Sequence, residues 1–155
     1  MGFRNEIRSE TTIEGTADEV WGVLSDFASY PEWNPGMAQV LGEANVGTRL
    51  HIRFQLNGGR VMTMKPTVLV AEPGRELRWL GRLLLPGIFD GEHRFEIHEA
   101  EPGRVRFVQG ERFKGLLVPF LRKLIEVDTA TTFTKVNAAL AARVIELRVA
   151  GAALA

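Results

Sequence analysis

The sequence predicts an α+β protein in which about seven antiparallel strands accompany one long C-terminal helix, and three observations predict it. Apolar residues recur at helical spacing near the N-terminus and again after Gly115. Between Val40 and Gln109, by contrast, Gly and Pro punctuate short runs with a period of two, the pattern of an antiparallel meander. The repeated segments Ala71-Glu72-Pro73-Gly74-Arg75 and Ala100-Glu101-Pro102-Gly103-Arg104 read as hairpin corners, proline presetting one central position and glycine supplying the positive φ of the next.

Phe3 to Ile13, rich in Thr, Ile and alternating charge, suits a half-exposed first strand ending at Gly15. Thr16-Ala17-Asp18-Glu19 has the capping-box pattern, and Val20, Trp21, Val23, Leu24 and Phe27 give the helix that follows an apolar stripe. A second short helix or turn is expected around Ser29 to Trp33, before Asn34-Pro35-Gly36 breaks the chain, with Asn34 capping the turn. Leu50, Ile52, Phe54 and Leu56 then alternate with Arg49, His51, Arg53 and Gln55, so one face of this strand is apolar. Asn57-Gly58-Gly59 is a hairpin turn into one long strand carrying Met62, Met64, Val68 and Val70 on a single face. Further strands are expected at Glu76 to Leu84, Glu92 to Glu99 and Val105 to Phe113. The chain closes with helix, first through Leu117, Phe120, Leu121 and Leu124, then through Phe133, Val136, Leu140, Val144 and Leu147. Asp128, Thr129, Thr131 and Thr132 interrupt that stripe, which allows a break or a kink with Asp128 or Thr129 as a second N-cap.

Composition narrows the function. The 155 residues, 45% hydrophobic and 25% charged, suit one domain over 1–155 whose core needs no covalent staple. Cysteine is absent, which excludes disulfides, cysteine-ligated zinc, iron–sulfur clusters and thiol catalysis. Nineteen basic residues balance nineteen acidic ones, so nothing marks a nucleic-acid partner. No apolar run approaches the roughly 18 residues of a membrane span, and Met1 to Glu6 has no signal core, so a cytoplasmic protein is expected. His51 lies on a charged face and His98 has the opposite parity to His93, so the three histidines do not converge on a metal; no cofactor is expected. Gly-rich phosphate loops, nucleophile elbows and suitably spaced carboxylate pairs are also missing.

The order of elements resembles the helix-grip fold of the Bet v 1-like, START-like superfamily, in which a curved antiparallel sheet wraps a long C-terminal helix. ADEVWGVLSDFASYPEWNP is similar to the early helix pair; VGTRL, GEHRFEI and FTKVNAALAARV resemble the third-strand start, the sixth strand and the final helix of bacterial members. Those members are often described as polyketide cyclase or dehydrase and lipid transport proteins, of the SRPBCC type. The resemblance implies a cavity between sheet and helix.

Strand parity says what faces it. Phe95 and Ile97 must share a face with Val105 and Phe107, which requires an odd loop, either Glu101 to Gly103 or Pro102 to Arg104. Parity then turns His93, Gln109 and Glu111 inward; the first loop sets His93 opposite Glu111 and Phe95 opposite Gln109, and the second makes the His93–Glu111 pair diagonal. The same logic at Glu72 to Arg75 pairs Val70 with Leu77, Val68 with Trp79 and Met64 with Leu83. With Leu50, Ile52 and Phe54 from the first hairpin, Trp33 from the early helix pair, and Val136, Asn137 and Leu140 from the last helix, the wall is apolar with a few polar groups, as small-molecule sites generally are.

Three functions fit. The first is binding or carriage of a hydrophobic small molecule, a lipid, polyketide or aromatic metabolite, with Trp33, Phe54, Met64, Trp79, His93, Phe95, Phe107, Gln109, Glu111, Val136, Asn137 and Leu140 as contacts. The second is a cyclase- or dehydratase-like enzyme with His93 and Glu111 as acid and base. The third is a protein-interaction domain whose interior is filled by its own side chains.

Overall fold

In the computed structural model, which describes residues 6–154, eight strands form two sheets, five in the order β1-β8-β7-β6-β5 and three in the order β2-β3-β4. The strands are β1 Glu6–Glu14, β2 Met37–Leu41, β3 His51–Gln55, β4 Val61–Met64, β5 Thr67–Glu72, β6 Glu76–Leu83, β7 Phe89–Glu101 and β8 Arg104–Lys114. The helices are α1 Ala17–Ser25, α2 Tyr30–Trp33, α3 Val118–Leu124 and α4 Ala130–Leu154. Phe3 to Asn5 of the expected first strand, and the side chains of Asn57 and Leu124, lie outside the described residues.

The count exceeds seven because the long strand expected from Met62 to Val70 is divided at Lys65-Pro66. Proline donates no ladder hydrogen bond. β4 therefore pairs back on β3 and β5 pairs onward to β6, while Leu50 donates to the Pro66 carbonyl at 2.8 Å and a bridge from Arg49 to Thr67 links the two sheets. The split moves Met64 opposite Ile52, not Leu83.

α1 starts as the capping box requires: Thr16 Oγ1 accepts from the Glu19 N–H at 3.1 Å and Glu19 Oε2 accepts from the Thr16 N–H at 2.9 Å. Thr16→Ala should lower stability by about 1 kcal/mol, read as a lower urea midpoint with an unchanged slope. α1 buries Val20, Val23 and Leu24, and a 3-10 turn then carries Phe27 into the core. Asn34 closes α2 as expected, its Oδ1 accepting from the N–H groups of Gly36 and Met37, both at 2.9 Å.

The interruption in the C-terminal helical run is a π-helical turn, Ile125–Thr129, through which the chain stays helical. It is a wide turn joining α3 to α4, in place of the fresh helix start expected at Asp128 or Thr129; the Thr131 hydroxyl donates back to the Val127 carbonyl at 2.9 Å. α3 turns Val118 inward, and Phe120, expected on the apolar stripe, is 84% exposed. α4 packs against β1 and α1, burying Phe133, Val136, Asn137, Leu140 and Val144, and Leu147 stays 45% exposed. Its opposite partner is the concave face of the five-stranded sheet. The other face of that sheet carries ion pairs such as Arg94–Glu6, Arg78–Glu92 at 3.5 Å and Arg104–Glu14 at 2.8 Å, whose partial exposure makes each worth little.

Candidate functional site

The β7–β8 register puts the polar residues of the concave face together. Glu101 pairs with Arg104 around a two-residue Pro102-Gly103 turn, and a register shift between Glu99 and Glu101 leaves Ala100 as an extra residue. The turn is thus shorter than either three-residue loop expected, and the bulge restores the odd parity that the apolar pattern demands. His93 stands opposite Glu111, Phe95 opposite Gln109 and Ile97 opposite Phe107.

Two transverse rows follow across the five strands. Ile7, Glu111, His93, Trp79 and Val68 form one; Ser9, Gln109, Phe95, Leu77 and Ala71 form the next. The expected pairing of Val68 with Trp79 is present, but a bulge between Val68 and Val70 gives Val70 to Arg78 and Ala71 to Leu77.

Within these rows the buried polar groups make a one-way chain. Asn137 Nδ2 donates to Ser9 Oγ at 3.1 Å and Gln109 Nε2 donates to Asn137 Oδ1 at 3.0 Å. Gln109 Oε1 is then left to accept, so His93 Nε2, at 3.2 Å, carries the proton and donates to it. Nδ1 keeps its lone pair and points toward Glu111 Oε2 at 3.8 Å. The imidazole ring is held on three sides, by Phe95 at 4.4 Å, Phe133 at 5.1 Å and Trp79 at 5.4 Å between centroids.

Burial depresses the His93 pKa to about 3, the Gln109 hydrogen bond opposing the shift, so the ring is neutral across the physiological range. Burial acts on Glu111 in the opposite sense, raising its carboxyl from 4.5 to about 7. Of the two, Glu111 is the one that exchanges a proton near neutral pH. Among the described residues no hydrogen bond reaches its carboxyl, and 22% of its side chain is exposed.

These shifts act on stability with opposite signs. His93 has a lowered pKa in the folded protein, so its contribution is present above 6.5 and is lost as pH falls toward 3. Glu111 has a raised one, so its contribution is present below 4.5 and is lost as pH rises to about 7. Glu111→Gln removes only the second effect. Its stability relative to wild type should therefore climb between pH 4.5 and 7 and level off above, measured by urea unfolding at each pH.

Of the residues expected to line the interior, Trp79, His93, Phe95, Phe107, Gln109, Val136, Asn137 and Leu140 are buried, while Glu111, Met64, Phe54 and Trp33 are half-buried. Trp79 is closed in by Phe27 at 6.2 Å as well as by Phe95. Trp33 stacks edge-on against Tyr30 at 5.0 Å, and its indole Nε1 is buried with no partner among the described residues. Phe54 pairs with Met62 and Met37 at the β2-β3-β4 sheet, away from Glu111 on the strand ladder. Sequence reasoning missed Ser9, which ends the polar chain, and Phe133, placed on the helical stripe but not against His93. It also missed Gly81 and Gly91, whose signal was visible as glycine inside a strand.

Two surface concavities lie elsewhere. One, of about 430 Å³, runs between α1 and α4 over Gly22, Val23, Val144 and Leu147; the other, of about 360 Å³, lies between the start of α1 and the β7–β8 turn. No group of three or more metal-ligating side chains occurs among the described residues, and no helix there is long and apolar enough to cross a membrane.

An antiparallel sheet closed over a long C-terminal helix, with two short helices after the first strand, is the helix-grip architecture of the START-like, Bet v 1-like superfamily. A START superfamily protein from Mycobacterium smegmatis shares 19% identity over 92% of this chain and 98% of its own, with a TM-score of 0.73. An aromatase/cyclase from a Streptomyces species shares 18% over 93% and 94%, with a TM-score of 0.76. A norcoclaurine synthase from Thalictrum flavum, in complex with a transition-state analogue, shares 16% over 92% and 95%, with a TM-score of 0.70. At these identities the likeness defines the fold. The family described as polyketide cyclase / dehydrase and lipid transport matches residues 4–145, and the chain belongs to it. No curated protein matches the sequence significantly.

Proposed function

We propose that the chain acts as one ligand-binding unit, holding a hydrophobic small molecule between the five-stranded sheet and α4 with its polar end at Glu111 and His93. The observation that carries this reading is the Glu111 carboxyl, set on an apolar concave face and facing, among the described residues, the His93 nitrogen at 3.8 Å. A core built only for stability gains little from such a group: solvent reaches 22% of its side chain, and no hydrogen bond from the described residues offsets the rest of its desolvation. Membership of a family that includes lipid transport proteins supports the same reading. So do the buried rings of Trp79, Phe95 and Phe107, which supply the apolar contact area from which such sites draw affinity, at roughly 25 cal/mol per Å² buried. The third function, a filled interaction domain, accounts for the packing around Trp79 but leaves Glu111 without a role.

The test is a titration of the protein carrying Trp79 as its sole tryptophan (Trp21→Phe, Trp33→Phe) with 1-decanol and with naphthalene. A saturable one-to-one change in emission is expected for at least one probe. No saturable change with either would overturn the reading.

The same carboxyl favours a second reading, acid/base chemistry on a carbonyl-bearing substrate. Glu111 would hold the proton near neutral pH and His93, neutral, would position it. Under that reading Glu111→Gln abolishes turnover and leaves binding.

A further inference from the structure

We propose that Gly81 and Gly91 are the floor of a slot for a flat, neutral aromatic ring bearing a hydroxyl group, with Met64 the side chain that yields to the ring and Glu111 the acceptor of the hydroxyl. The inference rests on the binding reading above and adds to it the shape and chemistry of the ligand.

Gly81 and Gly91 face each other across β6 and β7, and both are buried. Neither has a positive φ, so backbone conformation does not call for glycine at either place. Glycine inside a strand loses backbone entropy and packs nothing, and its usual justification is close approach by something else. Here the space is what matters. A Cβ on Gly81 would lie 2.6 Å from Met64 Cε, and one on Gly91 would lie 2.8 Å from Glu111 Oε1. The pair thus leaves a stretch two strands wide on the concave face with no side chain of its own, covered at Gly81 by the Met64 methyl and at Gly91 by the Glu111 carboxyl, and flanked by Phe113, which pairs with Gly91, and by the His93–Glu111 row.

Met64 is suited to giving way. It belongs to β4, in the other sheet, and reaches over Gly81 from there; it is half-buried, unbranched and free to rotate about three bonds. An aromatic ring in the place of its methyl group would lie flat on two peptide planes and meet the thioether at its edge, a favourable contact. The Phe113 and Phe89 rings, 5.7 Å apart, extend the apolar wall.

The polar rim fixes the rest. His93 Nε2 is engaged by Gln109, so the atom His93 turns toward Glu111 is an acceptor. Glu111 Oε1, the oxygen that lies over Gly91, is another, both in the ionised carboxyl and in the acid whose proton sits on Oε2 toward His93. Two acceptors want a donor, which a ligand hydroxyl supplies and a ligand carboxylate does not. An ammonium would lose its water among Phe113, Phe89 and Met64 with one carboxylate to replace it.

The test compares 2-naphthol, naphthalene, 1-decanol and 2-naphthoate on the full chain. The methionines, four in number, are labelled at the methyl carbon, and the Met64 signal is assigned with Met64→Leu. The expected results are an upfield shift of the Met64 methyl on adding 2-naphthol, and affinity for 2-naphthol about tenfold or more above that for 2-naphthoate. Met64→Ala should tighten 2-naphthol binding several-fold and Gly91→Ala should weaken it about tenfold. Should Gly91→Ala fail to fold, the wild-type shift and Met64→Ala decide. Binding of 2-naphthol with the Met64 methyl unmoved, or equal binding of 2-naphthoate, overturns the slot and leaves the interior site standing. No binding of 2-naphthol, naphthalene or 1-decanol overturns both.

Discussion

Phe95→Ala is expected to destabilise the protein by about 3–5 kcal/mol, the range for truncating a buried aromatic residue that leaves a cavity. Phe95 is 2% exposed and touches three aromatic partners: His93 at 4.4 Å, Trp79 at 5.1 Å and Phe107 at 6.1 Å. Its place in the second transverse row, between Gln109 and Leu77, lets no solvent enter to relax the void. The loss should reach beyond stability. With the ring gone, His93 loses one of the faces that hold it toward Glu111, so any apolar ligand seated there should also bind more weakly. Urea unfolding of the two proteins side by side checks the first statement, and a loss below about 1 kcal/mol would mean that Phe95 packs against a partly open interior.

Asn137→Ala should be nearly as severe, about 2–5 kcal/mol, for a different reason. Asn137 removes no large volume when truncated; it leaves the buried Gln109 amide without a partner, at about 1–3 kcal/mol, and takes the donor from the half-buried Ser9 hydroxyl, at a smaller cost because water reaches it. Because His93 donates to Gln109, Gln109 to Asn137 and Asn137 to Ser9, the members should not act independently. A double-mutant cycle of Asn137→Ala with Gln109→Ala should show a coupling of about 0.5–3 kcal/mol, and additivity within error would contradict a connected network. Asn137→Asp is the informative companion, since it retains an acceptor for Gln109 and loses the donor to Ser9.

Much of this architecture is legible in residue order, and where it is not, the reasons are local. Alternation of Phe95 and Ile97 against Val105 and Phe107 determines the face on which His93, Gln109 and Glu111 lie, because a shift of one residue would turn an apolar set outward. The face on which these residues lie does not depend on the turn, so it is kept although the corner is Pro102-Gly103 with a bulge at Ala100. Bulges defeat the same counting elsewhere: one extra residue between Val68 and Val70 is invisible to a period-two pattern that both flanks satisfy. Pro66 was the available signal for dividing the long strand, since it cannot donate within a ladder. The placement of Asn137 over Gln109 is of another kind. It depends on how α4 is rotated against β1 and β8, and helical spacing says which residues share a face without saying which strand residue each will meet.

Protonation was beyond residue order altogether. His93 looked like the group to exchange protons, and its surroundings of Phe95, Phe133 and Trp79 instead hold it neutral, while the carboxyl opposite moves toward neutrality. Both outcomes follow from desolvation, which penalises the charged form of each group and so drives a base down and an acid up.

Native mass spectrometry after incubation with a mixture of 1-decanol, naphthalene and 2-naphthol tests most directly whether the sheet and α4 enclose one ligand site. A single adduct per chain that saturates at one is expected, and less of it in the folded Phe95→Ala variant. A statistical ladder of zero, one, two and three adducts, equal in wild type and variant, or no adduct with any of the three probes, would contradict it.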